Sequence, residues 1–363
     1  MKPIKYVTFI FLLVALSNYV SAQVDNPYNL VTDKNLESTW PEIESNWSSG
    51  EAGSFIGIDD IEIKYRIFRH PEEVGAIVIS SGRTETYIKY KEMVYNLNKL
   101  GYTVYIHDHR GQGFSGRITE DSQQGHVLDF DDYVTDLKTF YDKEVKPNEH
   151  KHLFLLAHSM GGGIATLYIE SYQNDFDAAA LSSPMHQPDT GTFGAVVCKG
   201  AGITTFFRGI GMSWFGMQPR YAVGQGSHKR KKFVANDPDI MTHSQQRFEA
   251  IQDLYDKNDE VKIGGVTSHW LANACDASET LIENAKSIKI PVLVLQAEED
   301  VAVTATGQNT FCKNLASSSE RECDGGKPYV IKGGYHELFI ESDEFRIPAI
   351  TKIVQFFEKQ SSL

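Results

Sequence analysis

"LLAHSMGGGIATL", residues 155–167, sets a serine between a histidine and a methionine and follows it with three glycines. The pattern is that of G-x-S-x-G, with Ala157 where the first glycine would stand. Such a stretch makes a sharp strand-to-helix turn that lifts a serine Oγ above a sheet. The turn strains the serine backbone and needs small residues two positions away on either side. Smallness is the requirement, so Ala157 and Gly161 both meet it around Ser159. "HLFLLA" (152–157) reads as a buried strand, and Met160–Tyr172 as the helix that follows. A serine that merely caps a glycine-rich helix is the structural alternative.

The partners decide between the two. A serine nucleophile needs a base, and the base needs an orienting carboxylate. After a nucleophile turn of this kind they follow in the order Ser, acid, His, each on a loop behind a later strand. Asp300 directly follows "VLVLQAEE", and His336 follows "YVIKGGY". Glu298 and Glu299 compete for the acid role, and register favours Asp300. The oxyanion donors expected are the backbone N–H of Met160, at the helix entry, and that of Arg83 in "SSGRTETY" (80–87). Arg83 has a side chain able to meet an anionic head group, although a solvated arginine is the plainer reading.

Outward from this motif, "IEIKYRIF" (61–68) alternates like a half-buried strand, and "AIVISS" (76–81) is continuously apolar, as in a strand covered on both faces. A helical pattern over 87–100, the strand "TVYIHD" (103–108), a helix through "DYVTDLKTFYDKEV" and the strand "AAALSS" (178–183) continue the alternation. Alternating strands and helices predict an α/β chain, a mostly parallel sheet with helices on both faces. Between 186 and 285 strand patterns cease. They return at "IPVLVLQAEED" (290–300) and in "PYVIKGGYHELF", before a last amphipathic helix, "RIPAITKIVQFFEKQ". One sheet interrupted by an inserted lid accounts for this. The expected division is 1–22 leader, 23–60 extension, 61–185 and 286–363 core, and 186–285 lid.

The formal net charge of −13 argues against a nucleic-acid partner, whose phosphates need a basic footprint. Lys2 and Lys5, an apolar stretch from Tyr6 to Leu16 and the small residues Val20, Ser21 and Ala22 form an export signal cleaved before Gln23. The apolar stretch is shorter than the ~20 residues a membrane-spanning helix needs. The expected location is periplasmic or extracellular. Export permits disulfides, and the layout pairs Cys198 with Cys275 in the insertion and Cys312 with Cys323 in the core.

Four further signals carry less. "GQGFSG" (111–116) matches a dinucleotide fingerprint, but no apolar helix follows it. "HDHR" (107–110) with His126 fits no common zinc spacing, and Asp108 and Arg110 are expected to position the turn. "HKRKK" (228–232) reads first as solvated surface and second as attraction to anionic lipid. The apolar, glycine-rich "GAGITTFFRGIGMSWFGM" (200–217) reads either as ordinary lid core or, by preference, as the wall of an acyl-chain pocket.

"SSGRTETYIKY", "DHRGQGFSGR", "GHVLDFDDYVTDL" and "LLAHSMGGGIATL" together resemble the bacterial lysophospholipase L2 group of the α/β-hydrolases, relatives of monoacylglycerol lipases. The resemblance runs from about residue 60 to the C-terminus and is loose in the insertion. It implies a lidded serine hydrolase acting on single-chain lipid esters without metal or cofactor. Ser159 would be the nucleophile, Asp300 the acid, His336 the base, and Arg83 and Met160 the oxyanion hole. Its substrates would be lysophospholipids or monoacylglycerols, with peripheral membrane contact through the lid. Ser81-Gly82 stands where monoacylglycerol lipases usually carry His-Gly, which moves the chain toward the lysophospholipase side. Monoacylglycerol lipase, general carboxylesterase, prolyl aminopeptidase and a silent lipid-binding protein are the alternatives.

Overall fold

The computed structural model describes residues 24–191, 198, 218–318 and 321–362. The proposed leader and the apolar segment 200–217 lie outside the described residues. One eight-stranded sheet organises the chain, in the order β1-β2-β4-β3-β5-β6-β7-β8. The strands are β1 (Glu51–Ile56), β2 (Glu62–Phe68), β3 (Gly75–Ser80), β4 (Tyr102–His107), β5 (Leu153–His158), β6 (Ala178–Ser182), β7 (Val292–Ala297) and β8 (Tyr329–Ile331). The β1–β2 and β2–β4 pairs are antiparallel; every pair from β4 through β8 is parallel.

Period-two alternation divides each central strand between two cores. In β3, Ala76 and Val78 face one side, and Ile77 and Ile79 the other. The first side packs on α3 (Asp131–Phe140), α4 (Met160–Ser171), α6 (Ser268–Asn284) and α7 (Ala305–Leu315), through Leu137, Ile164, Leu281 and Phe311 among others. The second packs on α2 (Lys91–Lys99) and α8 (Asp343–Ser361), through Val94, Leu97, Ile350 and Phe357. Burial on both faces explains why these strands read as unbroken apolar runs.

The extension expected over 23–60, to which the sequence pattern assigns no element, holds α1 (Leu36–Ser49) and β1. Its apolar residues are spaced singly: Phe55 is buried in β1 between exposed neighbours, and Ile43 and Trp47 in α1. An edge strand with one solvated face carries a weak pattern.

Between β6 and β7 the described residues contain α5 (Gln245–Lys257) and α6 but no named strand of the sheet. Arg247 on α5 ties this region to the rest. Its buried guanidinium meets Asp33 (2.6 Å), Glu92 (2.9 Å) and Asp343 (3.3 Å). Disulfides join Cys198 to Cys275 and Cys312 to Cys323, the two expected pairs.

Candidate active site

The parallel strands β3, β5, β7 and β8 all end at one edge of the sheet, so the loops behind them converge there. Ser159 sits directly after β5 and before α4, with φ 52° and ψ −120°. A non-glycine residue there holds roughly 1–3 kcal/mol of backbone strain. Local hydrogen bonds enforce it: the Ser159 amide donates to the Ser182 carbonyl (3.0 Å), and the Ser159 carbonyl accepts from Met185 (2.8 Å).

The glycines after Ser159 are required by approach. A Cβ on Gly161 would lie 2.2 Å from the Ser80 carbonyl oxygen and 2.4 Å from that of Ser81. On Gly162 it would lie 2.6 Å from Pro184. The start of α4 is thereby pressed against the ends of β3 and β6. Met160 is the first residue of α4, and helix geometry leaves its amide without an intrahelical partner.

Ser159 Oγ lies 2.9 Å from His336 Nε2, and His336 Nδ1 lies 2.7 Å from Asp300 Oδ2. The other Asp300 oxygen accepts from the amides of Ala302 (2.8 Å) and Val303 (3.0 Å). Burial works to raise the Asp300 pKa, but the His336 partner and the two amides outweigh it and hold the carboxyl below its ordinary value. Of the three acids weighed from sequence, Asp300 is the one joined to His336. Glu298 caps the Gly333 amide instead (2.9 Å), and Glu299 is solvent-exposed.

Arg83 and Met160 line the same cavity as Ser159 and His336, about 540 Å³ in volume. The Arg83 loop is pinned twice. The Gly82 amide donates to Glu85 Oε2 (2.5 Å), and the Gln112 side chain donates to the Gly82 (2.7 Å) and Glu85 (3.1 Å) carbonyls. "GQGFSG" therefore works as a brace for this loop. Its neighbour Asp108 accepts from the Tyr87 amide (2.5 Å), the Phe114 amide (2.7 Å) and Thr86 Oγ1 (3.0 Å), while Arg110 pairs with Asp136 (2.6 Å). Both position the turn, as expected.

Four buried or half-buried charged groups beside the serine were not legible in the sequence. Glu85 Oε1 contacts Lys89 Nζ (2.5 Å) and His158 Nδ1 (3.2 Å), and Lys89 Nζ also reaches Glu337 (2.6 Å). His158 Nε2 in turn lies 3.2 Å from the His336 carbonyl oxygen. Glu85, His158 and Glu337 bring ligand-type atoms within 4.8 Å of one another, but the Lys89 ammonium bridges both carboxylates. The cation of this cluster is the lysine. It links the Arg83 loop, the residue before Ser159 and the His336 loop. Only a Glu four residues before a Lys, at 85 and 89, hinted at it.

Sheet, turn and hydrogen-bonded Ser, His and Asp define a serine hydrolase of α/β-hydrolase fold. A model of the family described as serine aminopeptidase, S33, matches residues 71–343, and the chain belongs to that family. It is 37% identical over 320 residues to lysophospholipase L2 of Escherichia coli K12, covering 87% of this chain and 90% of that one. Probable lysophospholipase L2 of Haemophilus influenzae is 30% identical, covering 84% and 91%. Among solved structures, a soluble variant of monoglyceride lipase from Saccharomyces cerevisiae aligns with TM-score 0.65 at 17% identity, covering 86% and 95%.

Proposed function

We propose that this chain is a lysophospholipase, cleaving the acyl ester of lysophospholipids to a fatty acid and a glycerophosphodiester. The observation that carries it is the Ser159–His336–Asp300 chain at 2.9 and 2.7 Å, opening on a cavity partly walled by Met185, Val266 and Trp270. Similarity to lysophospholipase L2 over nearly the whole chain supports the substrate class.

Ser159 Oγ attacks the acyl carbonyl as His336 Nε2 takes its proton. Asp300 keeps the proton of the neutral imidazole on Nδ1 and stabilises the imidazolium that forms. The tetrahedral oxyanion rests on the amides of Arg83 and Met160, each worth ~10²–10³ in rate. His336 then protonates the departing glycerol oxygen, and water hydrolyses the acyl-enzyme by the same path in reverse. The Glu85 cluster is the frame that keeps the oxyanion loop and the His336 loop in register with the serine.

The enzyme is read as exported, its first 22 residues removed, and as touching membranes peripherally through the region between β6 and β7. Two disulfides with no free cysteine support an oxidising compartment. Monoacylglycerol lipase is the second reading, supported by a relative of that name.

Fatty-acid release from a lysophosphatidylethanolamine, measured with the mature chain and Ser159→Ala side by side, tests the proposal. Release by the wild type, reduced at least ~10⁴-fold in the variant, is the expected result. Equal release by both would remove Ser159 from the mechanism, and turnover of a monoacylglycerol alone would move the chain to the second reading.

A further inference from the structure

A second cavity, of about 680 Å³, adjoins the one that holds Ser159. Arg83, Thr84, Gln225 and Met241 line both, so the two meet at the loop that carries a proposed oxyanion donor. Arg83, Lys229, Lys231 and Lys262 line the second cavity, and no carboxylate does so among the described residues. That is unusual in a chain of formal net charge −13.

Part of this positive charge is compensated from outside the cavity. Lys262 pairs with Asp259 at 2.5 Å. Arg230, in the same basic run, is engaged by Asp253 at 2.9 Å and by Asp256. Lys231 Nζ donates to a backbone carbonyl, that of Asp239 (3.0 Å). Arg83 and Lys229 have no acidic partner among the described residues. The Arg83 guanidinium lies 6.0 Å from the centre of the Trp270 ring, a contact that orients it without neutralising it.

We infer that the second cavity is the subsite for the phosphodiester of the lysolipid head group, with Arg83, Lys229 and Lys231 as its phosphate-binding cations. The inference rests on the lysolipid reading above. A guanidinium offers a planar fork that matches two phosphate oxygens, and flexible ammonium groups add point charges around it. The position also fits the chemistry. In a lysophospholipid the glycerol unit spans from the scissile ester to the phosphate, and Arg83, whose amide is the proposed oxyanion donor, lines both cavities. A monoacylglycerol has no phosphate and gains nothing from these cations, so the subsite sets the preference between two substrates that share their ester.

The test compares kcat/KM for a lysophosphatidylcholine and a monoacylglycerol of equal chain length. Both are used below their aggregation thresholds, so that no charged lipid surface contributes. Wild type, Arg83→Gln and the exposed pair Lys229→Gln/Lys231→Gln are assayed. The phosphate-bearing substrate is expected to lose about tenfold or more relative to the monoacylglycerol in each variant, and to lose ground in the wild type as ionic strength rises. An unchanged ratio in the lysine variant, whose surface positions leave folding intact, overturns the inference while the lysophospholipase reading stands. Direct binding of sn-glycero-3-phosphocholine to Ser159→Ala separates the two readings from the other side. Binding that weakens on adding the lysine substitutions supports the subsite even in a chain that hydrolyses no lysolipid. Absence of binding with or without them overturns it.

Discussion

Asp300→Asn isolates the part of the site that geometry constrains most. Asp300 uses one oxygen to accept the amides of Ala302 and Val303 (2.8 and 3.0 Å) and the other to accept His336 Nδ1–H (2.7 Å). Asparagine has the same shape, but one end of its amide donates. Its oxygen must stay with the two backbone amides, because turning it would set an NH₂ group against two N–H donors. The NH₂ then faces His336 Nδ1 and compels that nitrogen to accept. The imidazole proton moves to Nε2, which lies 2.9 Å from Ser159 Oγ. No lone pair remains there to take the hydroxyl proton. A wrong-tautomer substitution of this kind costs ~10⁴ in kcat in serine proteases, or about 5 kcal/mol of transition-state stabilisation. The fold should be kept, since the loop amides retain their acceptor. Because Asp300 is held below its ordinary carboxyl value, it contributes stability that is present above the unfolded value of about 3.9 and is lost as pH falls through the folded one. The variant should therefore lack part of the acid-side loss of stability. The assay is turnover of a soluble short-chain ester, with a thermal melt beside it and Glu298→Gln and Glu299→Gln as controls. Retention of more than about a tenth of wild-type kcat by a folded Asp300→Asn would falsify the tautomer argument. A loss of that size in either control would transfer the role to the control residue.

Two further predictions concern the frame around the serine. Gly161→Ala should destabilise the chain by a few kcal/mol, roughly the 1–3 of an overpacked core or more, because its Cβ would meet two backbone carbonyls at 2.2 and 2.4 Å. Chemical denaturation reads this, and an unchanged midpoint would show that α4 is not pressed against β3. For His158, burial alone would lower the pKa, but Glu85 and Glu337 outweigh it, and Lys89 opposes them less strongly, so the net shift is upward. A raised histidine contributes stability that is full below the unfolded value of about 6.5 and is lost as pH rises through the folded value. Thermal midpoints measured from pH 6 to pH 9 should fall in the wild type and fall less steeply in His158→Gln. Parallel slopes would mean that His158 does not titrate with the fold.

The order of strands and helices in the core and the serine turn were legible along the chain. Each is a local signal: a strand buried on both faces is a continuous apolar run, and a nucleophile turn demands small residues at fixed offsets whatever surrounds it. Ser159 and His336 followed from position relative to those strands. α1 and β1 were missed because an amphipathic helix and a half-solvated edge strand leave only sparse apolar residues. What the chain could not decide was which side chains meet when separate strand ends are brought to one edge. Three consecutive acids follow β7, and parallel pairing with β8 selects Asp300 for His336. Glu85, Lys89, His158 and Glu337 are scattered over some 250 residues and look like ordinary surface charge until β3, β5 and the loop after β8 place them together. Arg83 and the basic run near 229 become neighbours only because residues between β6 and β7 line one cavity together with the Arg83 loop. Periodicity is a property of a few successive residues, whereas a charged cluster is a property of register across the whole sheet.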